Sequence, residues 1–130
     1  MKSILVDTDI LINFLRGKAK ARDFLLSLAE DSTVYCSVIT VAEIFAGIRE
    51  HERQQTVDLL DSINIVTVTR EIAEKAGMYK SRTRSQGLEL DDCFIAATAY
   101  ILQATLATGN AKHQQFSVTT QKQPLEIAII

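Results

Sequence analysis

The chain has 130 residues, 47% of them hydrophobic and 23% charged, with a formal net charge of −2. This length predicts a single domain, residues 1–130, with a real core, and the composition excludes a disordered or collagen-like chain. With no Trp and only 6% aromatic residues, the chain offers neither a basic nucleic-acid surface overall nor a stacking platform, although a locally basic groove fits an acidic body.

Ile4-Leu5-Val6 is a short apolar run that stops at Asp7, the pattern of a strand buried on both faces. Its shortness excludes a signal peptide. A helical stretch from Ile10 to Leu15 ends before Gly17, a suitable C′ residue. Ala21, Phe24, Leu25 and Leu28 then follow i, i+3, i+4, i+7 and predict an amphipathic helix. Val34 to Val38 reads as the second strand. Val41, Ile44, Phe45 and Ile48 repeat the helical spacing, with Thr40 as the expected N-cap and Glu43 in the first turn.

A polar helix from about Glu52 to Ser62 leads to a β-branched strand, Ile63 to Val68. Ile72, Ala76 and Tyr79 mark a helix whose end carries Lys80, Arg82 and Arg84. Asp92 opens a helix, Asp92 to Gln103, that is apolar nearly all round and therefore buried on several sides. Although no charge occurs between Cys93 and Ala111, Thr and Gln residues interrupt the run, so it predicts a buried helix and a strand and not a membrane span. Thr105 to Thr108 is the fourth strand and Glu126 to Ile130 the fifth. Cys36 and Cys93 lack CxxC spacing and read as buried thiols of a reduced, cytoplasmic protein. Strands alternating with helices predict an α/β/α sandwich around a central parallel β-sheet of about five strands.

Ligands of open α/β sheets bind beyond the carboxyl ends of the strands. Asp7 closes the first strand, Glu43 follows the second, and Asp92 opens the helix leading into the fourth, which Asn110 follows. Each has a plainer role: Asp7 and Asp92 as helix caps, Thr40 and Glu43 as a capping box, Asn110 as a turn residue after Gly109. On a helical wheel Glu43 lies well away from the apolar stripe and on the side of Gly47, which would keep a groove open. Three carboxylates gathered at one edge repel one another and call for a proton or a cation. An all-oxygen set suits Mg²⁺ or Mn²⁺, which can orient water against a phosphodiester. Arg16, Lys18, Lys20, Arg49, Arg53, Lys80, Arg82, Arg84 and Lys112 are then candidates for phosphate contact or an ordinary solvated surface.

Four segments, in this order, carry a resemblance: Ile4-Leu5-Val6-Asp7-Thr8-Asp9-Ile10-Leu11-Ile12-Asn13, Val41-Ala42-Glu43-Ile44, Asp92-Cys93-Phe94-Ile95-Ala96-Ala97-Thr98-Ala99, and Leu106-Ala107-Thr108-Gly109-Asn110-Ala111-Lys112-His113. With them the chain resembles the PIN-domain ribonucleases, in particular the VapC-type toxins of toxin–antitoxin pairs. The resemblance implies an endoribonuclease dependent on Mg²⁺ or Mn²⁺, with Asp7, Glu43 and Asp92 as catalytic metal ligands. Asp92 is preferred over Asp91 because it directly precedes the apolar Ala-rich run. The fourth acidic position of the wider family falls at Asn110 or near His113, so Asn110 is expected to be at most a weak fourth metal contributor. The resemblance also implies RNA as substrate, a VapB-like antitoxin as partner, and a homodimer. Two other readings compete. A phospho-receiver domain would need a phosphoacceptor Asp after the third strand, where Val68-Thr69 stands. A non-catalytic RNA- or partner-binding PIN-like module would share the fold without cutting.

Overall fold

The computed structural model describes residues 1–118 and 124–130. Five strands, β1 (Lys2–Val6), β2 (Ser32–Ser37), β3 (Asn64–Val66), β4 (Thr105–Thr108) and β5 (Ile127–Ile129), form one sheet in the order β3-β2-β1-β4-β5. Every pairing in it is parallel. The chain winds outward from β1 first to one side and then to the other, so the connections reverse direction between β1 and β4. That reversal opens a crevice at the carboxyl ends of these two strands.

Helices cover both faces. Along β1, Ile4 and Val6 point to one face and Leu5 to the other, the period-two alternation of a strand. Ile4 and Val6 join Ile10 and Leu11 of α1 (Thr8–Leu15), Ala21 of α2 (Ala19–Ser27), Ile44 of α3 (Val38–Gly47) and Leu60 of α4 (Arg53–Asp61). Leu5 and Leu106 join Ile72, Ala76 and Tyr79 of α5 (Arg70–Arg82) with Cys93, Ile95 and the alanines of α6 (Leu90–Leu102). This is the expected sandwich. Cys36 and Cys93 are both free and buried, and burial lifts the Cys36 thiol to about 11. No helix among the described residues is long and apolar enough to cross a membrane.

Several boundaries differ from the expected ones, and each shift has a local cause. The helix after β2 begins at Val38, not Thr40, because the Ser37 hydroxyl accepts the Ile39 amide at 3.0 Å and so acts as the N-cap. Glu43 therefore sits in the second helical turn, and the expected Thr40–Glu43 capping box does not form. The first helix starts at Thr8 rather than Ile10 because Asp7 caps it. The last large helix starts at Leu90, two residues before Asp92. The third strand is cut to Asn64–Val66, because Thr69 already caps α5 by accepting the Ile72 amide. A 3-10 turn at Glu50–Glu52 precedes α4, and a second 3-10 segment, Ala111–Val118, follows β4. Gly17 adopts φ +74° just past α1, as a C′ residue should.

Candidate active site

Asp7 lies at the end of β1 beside β4, where its amide donates to Ala107 O at 2.8 Å. Its side chain is almost wholly buried, at 4% exposure. Oδ1 accepts the Thr8 amide at 2.8 Å and Oδ2 accepts the Thr108 hydroxyl at 2.7 Å. Buried charge persists only where such partners surround it. The capping role is real, and it uses one oxygen of the carboxylate.

Thr8 extends the network to α3. Its hydroxyl donates to Glu43 Oε1 at 2.6 Å and stands 2.9 Å from the Thr40 hydroxyl. Thr40, buried inside α3, thus serves as a tether between two helices and not as a cap. Burial raises the pKa of Glu43, and the charges of Asp91, Asp7 and Asp92 raise it further against the lowering effect of Thr8. Glu43 therefore feels the field of acids from β1 and α6.

Asp92 is the third residue of α6, and its Oδ2 accepts the Glu89 amide at 2.9 Å. Its Oδ1 lies 3.4 Å from His113 Nε2. Burial works against this carboxylate, but contact with His113, the Glu89 amide and the charge of Lys80 outweigh it and hold the pKa below the ordinary value. Lys80 itself donates to Leu88 O at 2.7 Å, fastening the α5–α6 connection beside the site.

His113 joins the two ends. Its Nδ1 is 3.1 Å from Asp7 Oδ2, and only 1% of the residue is exposed. Neither ring nitrogen is aligned for a hydrogen bond, so both approaches are close ion-pair contacts. Burial alone would lower the pKa of the imidazole, but the adjacent Asp7 and Asp92 carboxylates reverse this and push it up to about 9.

Asp9 adds a fourth acid. Its Oδ2 accepts the Gly109 amide at 3.0 Å, while Oδ1 is buried without a hydrogen-bond partner. Burial and the Asp7 charge raise its pKa. Asn110 stands on the exposed rim, where its amide donates to Thr108 Oγ1 at 3.1 Å and its Oδ1 accepts the Lys112 amide at 3.0 Å. That oxygen closes a turn of the Asx kind.

The structure therefore brings Asp7, Glu43 and Asp92 into one electrostatic cluster at the strand-reversal crevice. Thr8, Thr108 and Asp9 contribute to it without having been singled out from the sequence as site residues. Thr8 and Asp9 directly follow the first acid, which is the signal by which they could have been found. Among the described residues, no three His, Cys, Asp or Glu side chains are grouped as they stand to hold a metal ion. The donor chemistry nonetheless fits a hard dication: the carboxylates repel one another, all offer oxygen, and a buried Asp9 oxygen lacks a partner.

A family model described as "PIN domain" matches residues 4–118. The chain belongs to the PIN domain family. It is 41% identical over 112 residues to Ribonuclease VapC10 of Mycobacterium tuberculosis, covering 85% of this chain and 84% of that protein. Ribonuclease VapC19 of the same organism is 33% identical over 112 residues, covering 84% of this chain and 90% of that protein. Among solved structures, a toxin-antitoxin complex from Klebsiella pneumoniae superposes with a TM-score of 0.73 at 31% identity, over 85% of this chain and 88% of that one. The acid cluster of this PIN domain falls within the residues matched by the family model.

Proposed function

We propose that this PIN domain is an endoribonuclease of the toxin type, hydrolysing RNA with an activated water. The observation that carries the reading is the chain of contacts that gathers Asp7, Glu43 and Asp92 at one crevice: Thr8, capped by Asp7, donates to Glu43, and His113 lies within 3.4 Å of both Asp7 and Asp92. A bound Mg²⁺ or Mn²⁺ would supply Lewis acidity, lowering the pKa of water and offsetting charge on the phosphoryl group. Asp7, Glu43 and Asp92 would hold that ion.

The protein's own residues do the positioning. Thr8 and Thr108 fix the Glu43 and Asp7 carboxylates, and α6 carries Asp92 on a buried helix. Asp9 braces the Gly109 end of β4. Lys112, whose Nζ would lie 3.5 Å from a Cβ added at Gly87, and Lys80, at the α5–α6 connection, supply positive charge near the crevice for a phosphate backbone. No thiol competes as a nucleophile, since Cys93 is fully buried and burial raises its pKa.

The partner belongs to the same proposal. The similar Klebsiella pneumoniae structure is a toxin-antitoxin complex, and a narrow groove of about 50 Å³ lies between α1 and α3, lined by Ile12, Leu15, Ile44, Gly47 and Ile48 with Arg16 and Glu52. We assign this groove to an antitoxin chain, and we place the protein in the cytoplasm as a homodimer.

Cleavage of total RNA in the presence of Mn²⁺, followed by sequencing of the new ends, tests the reading. Asp92→Asn keeps an oxygen for the Glu89 amide and should remain folded while losing cleavage by at least about 100-fold. Equal cleavage by wild type and Asp92→Asn would sink the assignment. Binding of RNA without any cleavage by wild type would favour the non-catalytic module.

A further inference from the structure

His113 is held on every side. Its ring packs edge-on against Phe116, with centroids 5.6 Å apart and planes at 71°. Phe116 in turn meets Tyr79 at 5.1 Å and 62°. The His113 amide donates to Asn110 O at 3.1 Å, fixing the start of the 3-10 segment. The imidazole thus has no free path to solvent, and each of its two nitrogens faces a different carboxylate: Asp7 from β1 and Asp92 from α6.

We propose that His113 is a positioning residue that sets the separation and orientation of the Asp7 and Asp92 carboxylates for a divalent cation. This rests on the metal-dependent reading above. Without an intervening group, two carboxylates from different elements would repel and turn apart. Asp7 Oδ2 already accepts the Thr108 hydroxyl, and Asp92 Oδ2 the Glu89 amide. Asp7 is held locally by the Thr8 amide and the Thr108 hydroxyl, and Asp92 by the Glu89 amide, whereas His113 is the one side chain among those described that touches both carboxylates. Groups lying behind ligating carboxylates orient them, and removing such a group costs metal affinity.

The test compares wild type, His113→Leu and His113→Gln as full-length proteins. His113→Leu fills the site without an N–H, whereas His113→Gln retains an N–H on a polar chain. Thermal melts in chelator report folding, and calorimetric titration with Mn²⁺ reports affinity. His113→Leu should melt cooperatively yet bind Mn²⁺ about 10- to 100-fold more weakly, with part of the affinity recovered in His113→Gln. In chelator, the melting losses of His113→Leu and Asp92→Asn should be non-additive, because the two changes break the same contact. Wild-type affinity in His113→Leu, within twofold, would overturn the positioning role. Tighter binding would also overturn it, by showing that the imidazole only occupies the ion's place. If His113→Leu does not fold, His113→Gln and its cycle with Asp92→Asn decide in the same way. A wild-type protein that binds no Mn²⁺ removes the metal-dependent reading and this inference together, an outcome separate from equal binding by wild type and variant.

Discussion

At Gly109 the absence of a side chain is a packing requirement. A Cβ there would lie 2.8 Å from Asp9 Oδ2, the same oxygen that accepts the Gly109 amide. Gly109→Ala must therefore push Asp9 away or lose that bond, and should cost about 1–2 kcal/mol of stability in urea unfolding. The double change Gly109→Ala with Asp9→Ala should recover part of the loss, because the clash partner is gone. Additive losses would show that the strain lies elsewhere. Residues of this kind mark the limit of what the sequence discloses. Asp7, Glu43 and Asp92 drew notice as acids at strand ends and helix starts; capping is their ordinary use there, and only their gathering at one sheet edge sets them apart. Asp9 was visible only as a member of the segment around Asp7, because its partner is an amide a hundred positions away. His113 was marked only as lying near the family's fourth acidic position; that its ring sits between two acids leaves no periodic trace in the chain.

Between elements, one hydroxyl joins α1 to α3. Thr8 donates to Glu43 and meets Thr40, a link that fixes the depth at which α3 presents its acid. Thr8→Val preserves shape while removing the hydroxyl, so Thr40 is left buried with one partner fewer. Melts in chelator should show a loss of about 1–3 kcal/mol at neutral pH. The Thr8 bond lowers the Glu43 pKa and so stabilises the charged form. Its contribution is present above the carboxylate range and is lost as the pH falls through it. The gap between wild type and Thr8→Val should therefore narrow in acid. A constant gap at all pH values would assign the loss to packing alone. The expected helix start at Thr40 failed for a related reason: Ser37 and Thr40 both resemble caps, and only the end of β2 decides between them. By contrast Thr105–Thr108 was found to the residue, since a buried helix, a short apolar run and Gly109 bracket it on both sides.

Over the whole molecule, the strand order sets the acids at a crevice, while the α1–α3 groove is lined by other residues, of which Ile44 and Gly47 share α3 with Glu43. The crevice opens between β1 and β4, whereas the groove lies on the helical face packed over Ile44. If an antitoxin occupies the groove, a substitution at a lining residue weakens its capture and spares the acids. Gly47 is the suitable position. It is exposed at the end of α3, lines the groove, and a Cβ built there meets nothing within 4 Å. A groove kept open by Gly47 was readable from the sequence, but its lining was not: Glu43 was the expected wall, whereas Ile12 and Leu15 of α1 face Ile44 and Ile48 across it. Gly47→Phe places a ring in that open space without crowding the core, and replacing Gly in a helix removes a conformational cost of about 1 kcal/mol. The variant should therefore melt no lower than wild type and cleave RNA at the wild-type rate. Its affinity for an antitoxin chain should fall by at least about tenfold, the loss expected from about 1.4 kcal/mol of disrupted contact. Binding measured by calorimetry and cleavage measured with and without the antitoxin give the two halves of the test. Unchanged antitoxin affinity in a folded Gly47→Phe protein would move the contact to another face of the molecule. Loss of cleavage in the same protein would show that α3 cannot be altered at its end without disturbing Glu43, one turn earlier.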